Sequence, residues 1–423
     1  MFFLICSYHL SHRSSVLSAA MRQQLLFAIF LCALACSAKT KLDYLLSDYR
    51  NEPVTTLNAM SISLKLPSDI STRQNSVLIH DASDDVLRAT GDADGPLNTL
   101  VGLATMRHFY NGFIRLVALA RSRGYDHNII LGVSDDIRGD AKAFNLLRRM
   151  NVTMYAVTLA NCTGRAGSSE YSAVRGKCSQ GLEQYPLEWG RYIMAMQWMQ
   201  GCVACRDGWF MLMDTRDIFF QADPFAQLGD ARTAPVNLLL VEEVSPVTSL
   251  VMDQRRYFTC SNPRARAHTV PCYGNSGFSL YGERPVLNSG SIVGTFDGVM
   301  RLLRVLVQEF SHHASSGNRK CHSPSTTDQW ILNYLYYTGR FLDPDRTATL
   351  PWGVGPVLTV GKACMSADRK SGAKDMMRLR SDGSVLNPHD GRVAAAVHQF
   401  DRCGQWMAAY MRTLVKKIPP HYL

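Results

Sequence analysis

Two carboxylates three residues apart, Asp214 and Asp217, close an uninterrupted apolar run, Trp209–Met213. Five residues without a polar side chain have the length and character of a strand buried on both faces. In open α/β sheets, ligands bind beyond the carboxyl ends of such strands. A hard cation is the natural partner for acids released there. Magnesium-type ions take one or two carboxylates, with substrate phosphates and water completing the shell. The competing account of Asp-x-x-Asp is a solvated loop or a helix cap. Arg216, inside the motif, either pairs with an acid or contacts phosphate. Arg191, on the helix expected over residues 188–200, could reach a diphosphate with its planar fork, or it occupies a solvated face.

The elements that must position these groups alternate along the chain. Apolar runs at 97–106, 128–133 and 153–159 read as strands, and residues 113–121 and 141–150 have helical spacing. After the Trp209 strand come apolar runs at 236–241 and 290–294, then helices over 298–310 and 327–337. This order predicts an α/β fold, a mostly parallel sheet covered by helices, in a single domain over residues 96–410. Residues 39–95, polar and mixed, read as a stem or lead-in, and 411–423 as a tail.

The chain has 423 residues, 46% hydrophobic and 19% charged, with a formal charge of +10. That composition supplies a core and argues against wholesale disorder. The basic residues are scattered rather than clustered in a stripe, so no nucleic-acid partner is expected. Leu25–Ala38 is an apolar and small-residue segment preceded by Arg22, with Ala35-Cys36-Ser37-Ala38 as a cleavage-like end. Residues 1–38 therefore have the layout of a secretory signal peptide, with a short membrane anchor as the alternative and Met21 as the more ordinary start. Nine cysteines follow residue 38. Local disulfides Cys162–Cys178 and Cys260–Cys272 are expected because each would close a polar segment. Cys202-x-x-Cys205 lacks a second such pair, so structural cysteines are expected rather than zinc or redox work. Sequons at Asn151 and Asn161 are compatible with a lumenal chain.

The order of motifs resembles that of nucleotide-sugar-dependent glycosyltransferases of the GT-A type, the glycogenin-like families in particular. The similarity spans roughly residues 97–405. It rests on the opening strand with the aromatic turn Thr105–Phe113, the strand into Asp214–Asp217 with Asp223-Pro224, and a turn at Leu287-Asn288-Ser289-Gly290. Asp328-Gln329-x-x-Leu332-Asn333 and the late Val397-His398-Gln399 complete it. The usual Asp-x-Asp is replaced here by Asp-Thr-Arg-Asp, with the second acid at +3.

The resemblance implies a nucleoside diphosphate sugar donor and a glycan, glycoprotein or small-molecule acceptor, with retention of anomeric configuration; residues 1–38 and the cysteines point to the secretory pathway (Golgi or secreted). It makes His398 the third metal ligand beside Asp214 and Asp217, and an imidazole in the set suits Mn2+ as well as Mg2+. It also implies Tyr110 against the nucleotide base, Asn288, Ser289 and Gly290 as a close-approach turn at the donor, and Asp328 with Gln329 as catalytic groups. For Asp328, a helix first turn behind Thr327 is the purely structural account. Two other classes compete. An aspartyl phosphatase would need its second acid where Arg216 stands. A transferase-like lumenal protein that binds without turnover remains the alternative.

Overall fold

Trp209–Met213 forms a strand buried at every position. Its side chains alternate between two cores on opposite faces of the sheet. Trp209, Met211 and Met213 pack with residues of the Tyr110–Ser122, Ala141–Arg149 and Gly404–Lys416 helices. Phe210 and Leu212 pack with the Leu187–Gly201, Phe296–Ser315 and Asp328–Tyr337 helices. Helices on both faces explain why no position of the strand tolerates a polar side chain.

The computed structural model describes residues 77–83, 85–86, 96–105, 110–163, 177–243, 263–282, 284–316, 321, 328–340, 343–361 and 378–422. Its large sheet has eight strands. In spatial order these are Val77–His80, Val152–Val157, Asn128–Ser134, Thr99–Ala104, Trp209–Met213, Leu287–Thr295, Leu238–Glu242 and Thr347–Leu350. The four strands from Val152–Val157 to Trp209–Met213 run parallel, so their carboxyl ends open on one edge. Leu287–Thr295 is antiparallel to both of its neighbours, and the two outermost strands are one antiparallel and one parallel. The fold is thus α/β, with a parallel centre and helices on both faces.

A small sheet sits beyond the main one. Ile218–Phe220 pairs antiparallel with Ala396–His398, which pairs parallel with Val357–Thr359. In this register His398 lies opposite Ile218, the residue after Asp217. Segments about 180 residues apart in sequence (398 against 217) are thereby brought side by side.

Several expectations are amended. Asn288–Gly290 is not a turn but the start of the Leu287–Thr295 strand, where the register against Leu238–Glu242 shifts. The shift is held locally, because the Asn288 side chain accepts from its own backbone two residues on, Gly290 N, at 2.8 Å. The sheet begins at Val77–His80, inside the stretch read as lead-in. The last long helix crosses residue 410 and buries Met411 and Leu414. Residues 1–38 lie outside the described residues. No helix among the described residues is long and apolar enough to cross a membrane.

The cysteines pair as Cys162–Cys178, Cys202–Cys205 and Cys272–Cys321, and Cys403 is also disulfide-bonded. The first matches expectation. The pairing Cys260–Cys272 does not form, because packing of the Pro263–Ser279 helix sets Cys272 beside Cys321 instead.

One buried cation ties together the amino ends of two parallel strands, Asn128–Ser134 and Val152–Val157. Arg121, 6% exposed, donates from Nε to Met150 O, from Nη1 to Tyr125 O and His127 O, and from Nη2 to Asn151 O, at 2.6–2.8 Å. Arg121→Met keeps bulk but strands these carbonyls. We expect it to lower unfolding stability by roughly 3 kcal/mol or more in chemical denaturation; an unchanged midpoint would refute this role.

Candidate functional site

Asp214 emerges where the Trp209–Met213 strand ends, its backbone N–H donating to Gly290 O at 2.9 Å. Thr215 then turns back, its hydroxyl donating to Leu103 O at 2.7 Å. The extra residue between the acids is used in this turn, and Asp217 arrives directly before the Ile218–Phe220 strand. Gln399 N donates to Asp217 O at 2.7 Å, and Val360 N to His398 O at 2.9 Å, fixing the histidine from both sides.

The three side chains expected as ligands come together. His398 Nε2 lies 3.4 Å from Asp217 Oδ1 and 3.6 Å from Asp214 Oδ2. One ligand atom from each lies within 4.8 Å of the others. His398 is fully buried and Asp217 nearly so. Yet Asp217 Oδ1 and both ring nitrogens of His398 make no hydrogen bond to any described residue. Buried polar atoms are almost always satisfied. Two carboxylates and an imidazole converging on one point, with Asp217 Oδ1 and the His398 ring nitrogens unpartnered, form a set that fits a divalent ion, which binds such ligands at about 2.0–2.2 Å.

Cations already balance these acids. Arg191 Nη1 pairs with Asp214 Oδ1, and its Nη2 lies 2.5 Å from Asp328 Oδ2. Arg216 Nη2 pairs with Asp217 Oδ2 at 2.9 Å and lies 3.4 Å from Asp401. The Tyr192 hydroxyl donates toward Asp328 Oδ2 at 2.6 Å, with Ser289 O 3.0 Å away. Burial alone would push the Asp214 and Asp217 carboxyls up. Arg191 with His398 for the first, and chiefly His398 with Arg216 for the second, outweigh it, so both are held below the ordinary range. Burial would lower His398, but the two carboxylates outweigh it and push the imidazole up to about 9.

Of the remaining expected residues, Arg191, Arg216, Gly290 and Asp328 adjoin this centre or its ion pairs. Ser289 and Gly290 lie on the Leu287–Thr295 strand beneath it. A Cβ at Gly290 would fall 2.6 Å from His398 Cε1 and closer still to Asp214 Oδ2. Asn288 points the other way, its Nδ2 donating to Glu243 Oε1 at 3.1 Å. Asp328 starts its helix buried against Arg191, and Gln329 beside it is half-buried, its carbonyl accepting from Asn333. Tyr110 opens the Tyr110–Ser122 helix; its side chain is outside the described residues. Sequence reasoning passed over Tyr192, Glu243 and the role of Gln399. Tyr192 sits in an apolar helix that reads as core, and the other two act only through contacts distant in sequence.

No family model and no curated protein matches the chain. Among solved structures, an active-site mutant of LgtC matches with a TM-score of 0.39 at 11% identity, covering 77% of this chain and 98% of that one.

Two outcomes follow from the geometry. Gly290→Ala should separate Asp214 from His398 and abolish divalent-ion binding by calorimetry, while circular dichroism stays native; retained binding would place the ion elsewhere. In chelator-treated protein, His398 carries a folded pKa above its ordinary 6.5, so its contribution is full below about pH 6.5 and lost as pH climbs through 9. The acids, held low, contribute above about pH 4 and lose their contribution as pH falls. The difference in Tm between wild type and His398→Gln should therefore be largest between about pH 4 and 6.5 and shrink toward pH 9. A difference that does not vary with pH would contradict the charged triad.

Proposed function

We propose that the chain is a metal-dependent glycosyltransferase that moves a sugar from a nucleoside diphosphate donor to an acceptor hydroxyl. The observation that carries this reading is the mutually facing set Asp214, Asp217 and His398, the last two buried with unpartnered atoms, at the carboxyl end of a parallel strand. The order of motifs shared with GT-A enzymes supports it, as does the parallel centre on which the set is mounted.

These three residues would hold Mn2+ or Mg2+. When bound, the ion supplies the positive charge that neutralises the departing diphosphate. Arg191, its side chain partly exposed beside Asp214, would add a second, fixed positive charge near the phosphates. Gly290, lacking a side chain, leaves room for Asp214 and His398 to face each other. Asp328, oriented by Arg191 and Tyr192, and Gln329 next to it face the sugar and the acceptor hydroxyl. The glycogenin-like resemblance favours retention. Disulfides, among them Cys162–Cys178 and Cys272–Cys321, favour an oxidising compartment such as the secretory pathway.

One observation favours a second reading, a transferase-like protein that binds sugar or a partner without turnover: each acid of the motif already pairs with an arginine. Nucleoside diphosphate release from a panel of sugar nucleotides, with and without manganese, separates the two. Manganese-dependent release that falls roughly 100-fold or more in Asp217→Asn is expected for the enzyme. Donor binding without release under any condition would establish the binding protein instead.

A further inference from the structure

Glu243 follows the Leu238–Glu242 strand, is 3% exposed, and is anchored through its backbone N–H to Val286 O at 2.8 Å. A single carboxylate oxygen, Oε1, accepts from two side-chain amides: Asn288 Nδ2 at 3.1 Å and Gln399 Nε2 at 3.2 Å. Each amide leads to one side of the candidate metal site. On the first side, Asn288 Oδ1 accepts from Gly290 N at 2.8 Å and from the Ser291 hydroxyl at 3.0 Å, and Asp214 and His398 rest against Gly290. On the second, Gln399 is bonded to His398 in sequence and donates its own N–H to Asp217 O. Gln399 takes a left-handed backbone, φ 61°, and its Oε1 accepts from Arg402 Nη1 at 2.7 Å. A non-glycine residue rarely holds that conformation unless its surroundings enforce it.

We propose that Glu243 is a positioning residue for the Asp214–Asp217–His398 site, the acceptor that fixes the glycine-bearing strand against the segment carrying the histidine. The inference rests on taking those three residues as a cation site. Three chain segments, 238–243, 287–295 and 396–399, meet at this one oxygen, and nothing within any one of them sets the separation of Gly290 from His398. Outer groups that orient metal ligands commonly affect affinity as much as tenfold or more. Because both donors use the same oxygen, an amide oxygen in its place can accept both. Glutamine at 243 therefore serves and alanine does not, whereas a contribution from negative charge would be lost in both.

The test measures Mn2+ affinity and Tm for the full chain and four variants. Glu243→Ala should weaken Mn2+ binding by about 10–100-fold, and Glu243→Gln should stay within about threefold of wild type. Gln399→Asn tolerates the left-handed backbone but is too short to reach Glu243; it should fall between them, and it decides the matter if Glu243→Ala does not fold. Leu239→Ala, in the same strand's core, should lower Tm and leave affinity unchanged. Unaltered affinity in both Glu243→Ala and Gln399→Asn would overturn the proposal. So would a Gln variant as weak as the Ala variant, or equal weakening by Leu239→Ala. Absence of Mn2+ binding in the wild type would instead remove the cation site itself, and the positioning role with it.

Discussion

Negative charge held out of water is the constraint around which this fold is arranged. Asp214, Asp217 and Asp328 lie at the carboxyl edge of the parallel strands, and Asp217 and Asp328 are almost wholly buried. Ionised carboxylates survive there only if cations and donors replace their hydration. Arg191 joins Asp214 to Asp328, Arg216 covers Asp217, and His398, whose imidazole the two carboxylates push up to about 9, faces both members of the motif. Without an ion, the proton on His398 is what completes the balance. A divalent ion at this group of ligands would take the place of that proton, so the cluster that balances buried charge is also the one that could hold a metal.

Each supporting element can be understood by what it contributes to that balance. The Trp209–Met213 strand, apolar on both faces, delivers Asp214 to the edge. The small sheet, through the His398–Ile218 register, draws a late segment of the chain up to Asp217. The Leu187–Gly201 helix carries Arg191 and Tyr192 as neighbours, so one turn supplies both a cation and a hydroxyl to Asp328. Gly290 keeps the space between Asp214 and His398 free of a side chain that would hold them apart.

Part of this was legible in the sequence because it is written in local pattern. Trp209–Met213 and residues 129–133, within the Asn128–Ser134 strand, are continuous apolar runs, and a strand buried on both faces leaves that mark. The Asp pair was legible because charge follows such a run abruptly. His398 was reached only through resemblance, since nothing near it in sequence signals that it packs against residue 217. The same limit hid Glu243 and Gln399, whose contacts span 156 residues, and hid the partner of Cys272, 49 residues away. Asn288-Ser289-Gly290 reads as a turn because Asn-Ser-Gly is turn chemistry. In the fold that chemistry is spent on a register shift inside a strand, where its pairing with Leu238–Glu242 is interrupted. The +3 spacing of the acids, a departure from Asp-x-Asp, has a simple geometric cause. Asp217 directly precedes the next strand, and Thr215 bonded to Leu103 O takes up the slack.

The central claim is that Asp214, Asp217 and His398 bind one divalent ion together, and pulsed electron paramagnetic resonance of the Mn2+-loaded protein addresses it most directly. One bound ion per chain is expected, with a directly coordinated imidazole nitrogen whose modulation disappears in His398→Gln. A bound ion without nitrogen coupling, or coupling that persists in that variant, would contradict the account.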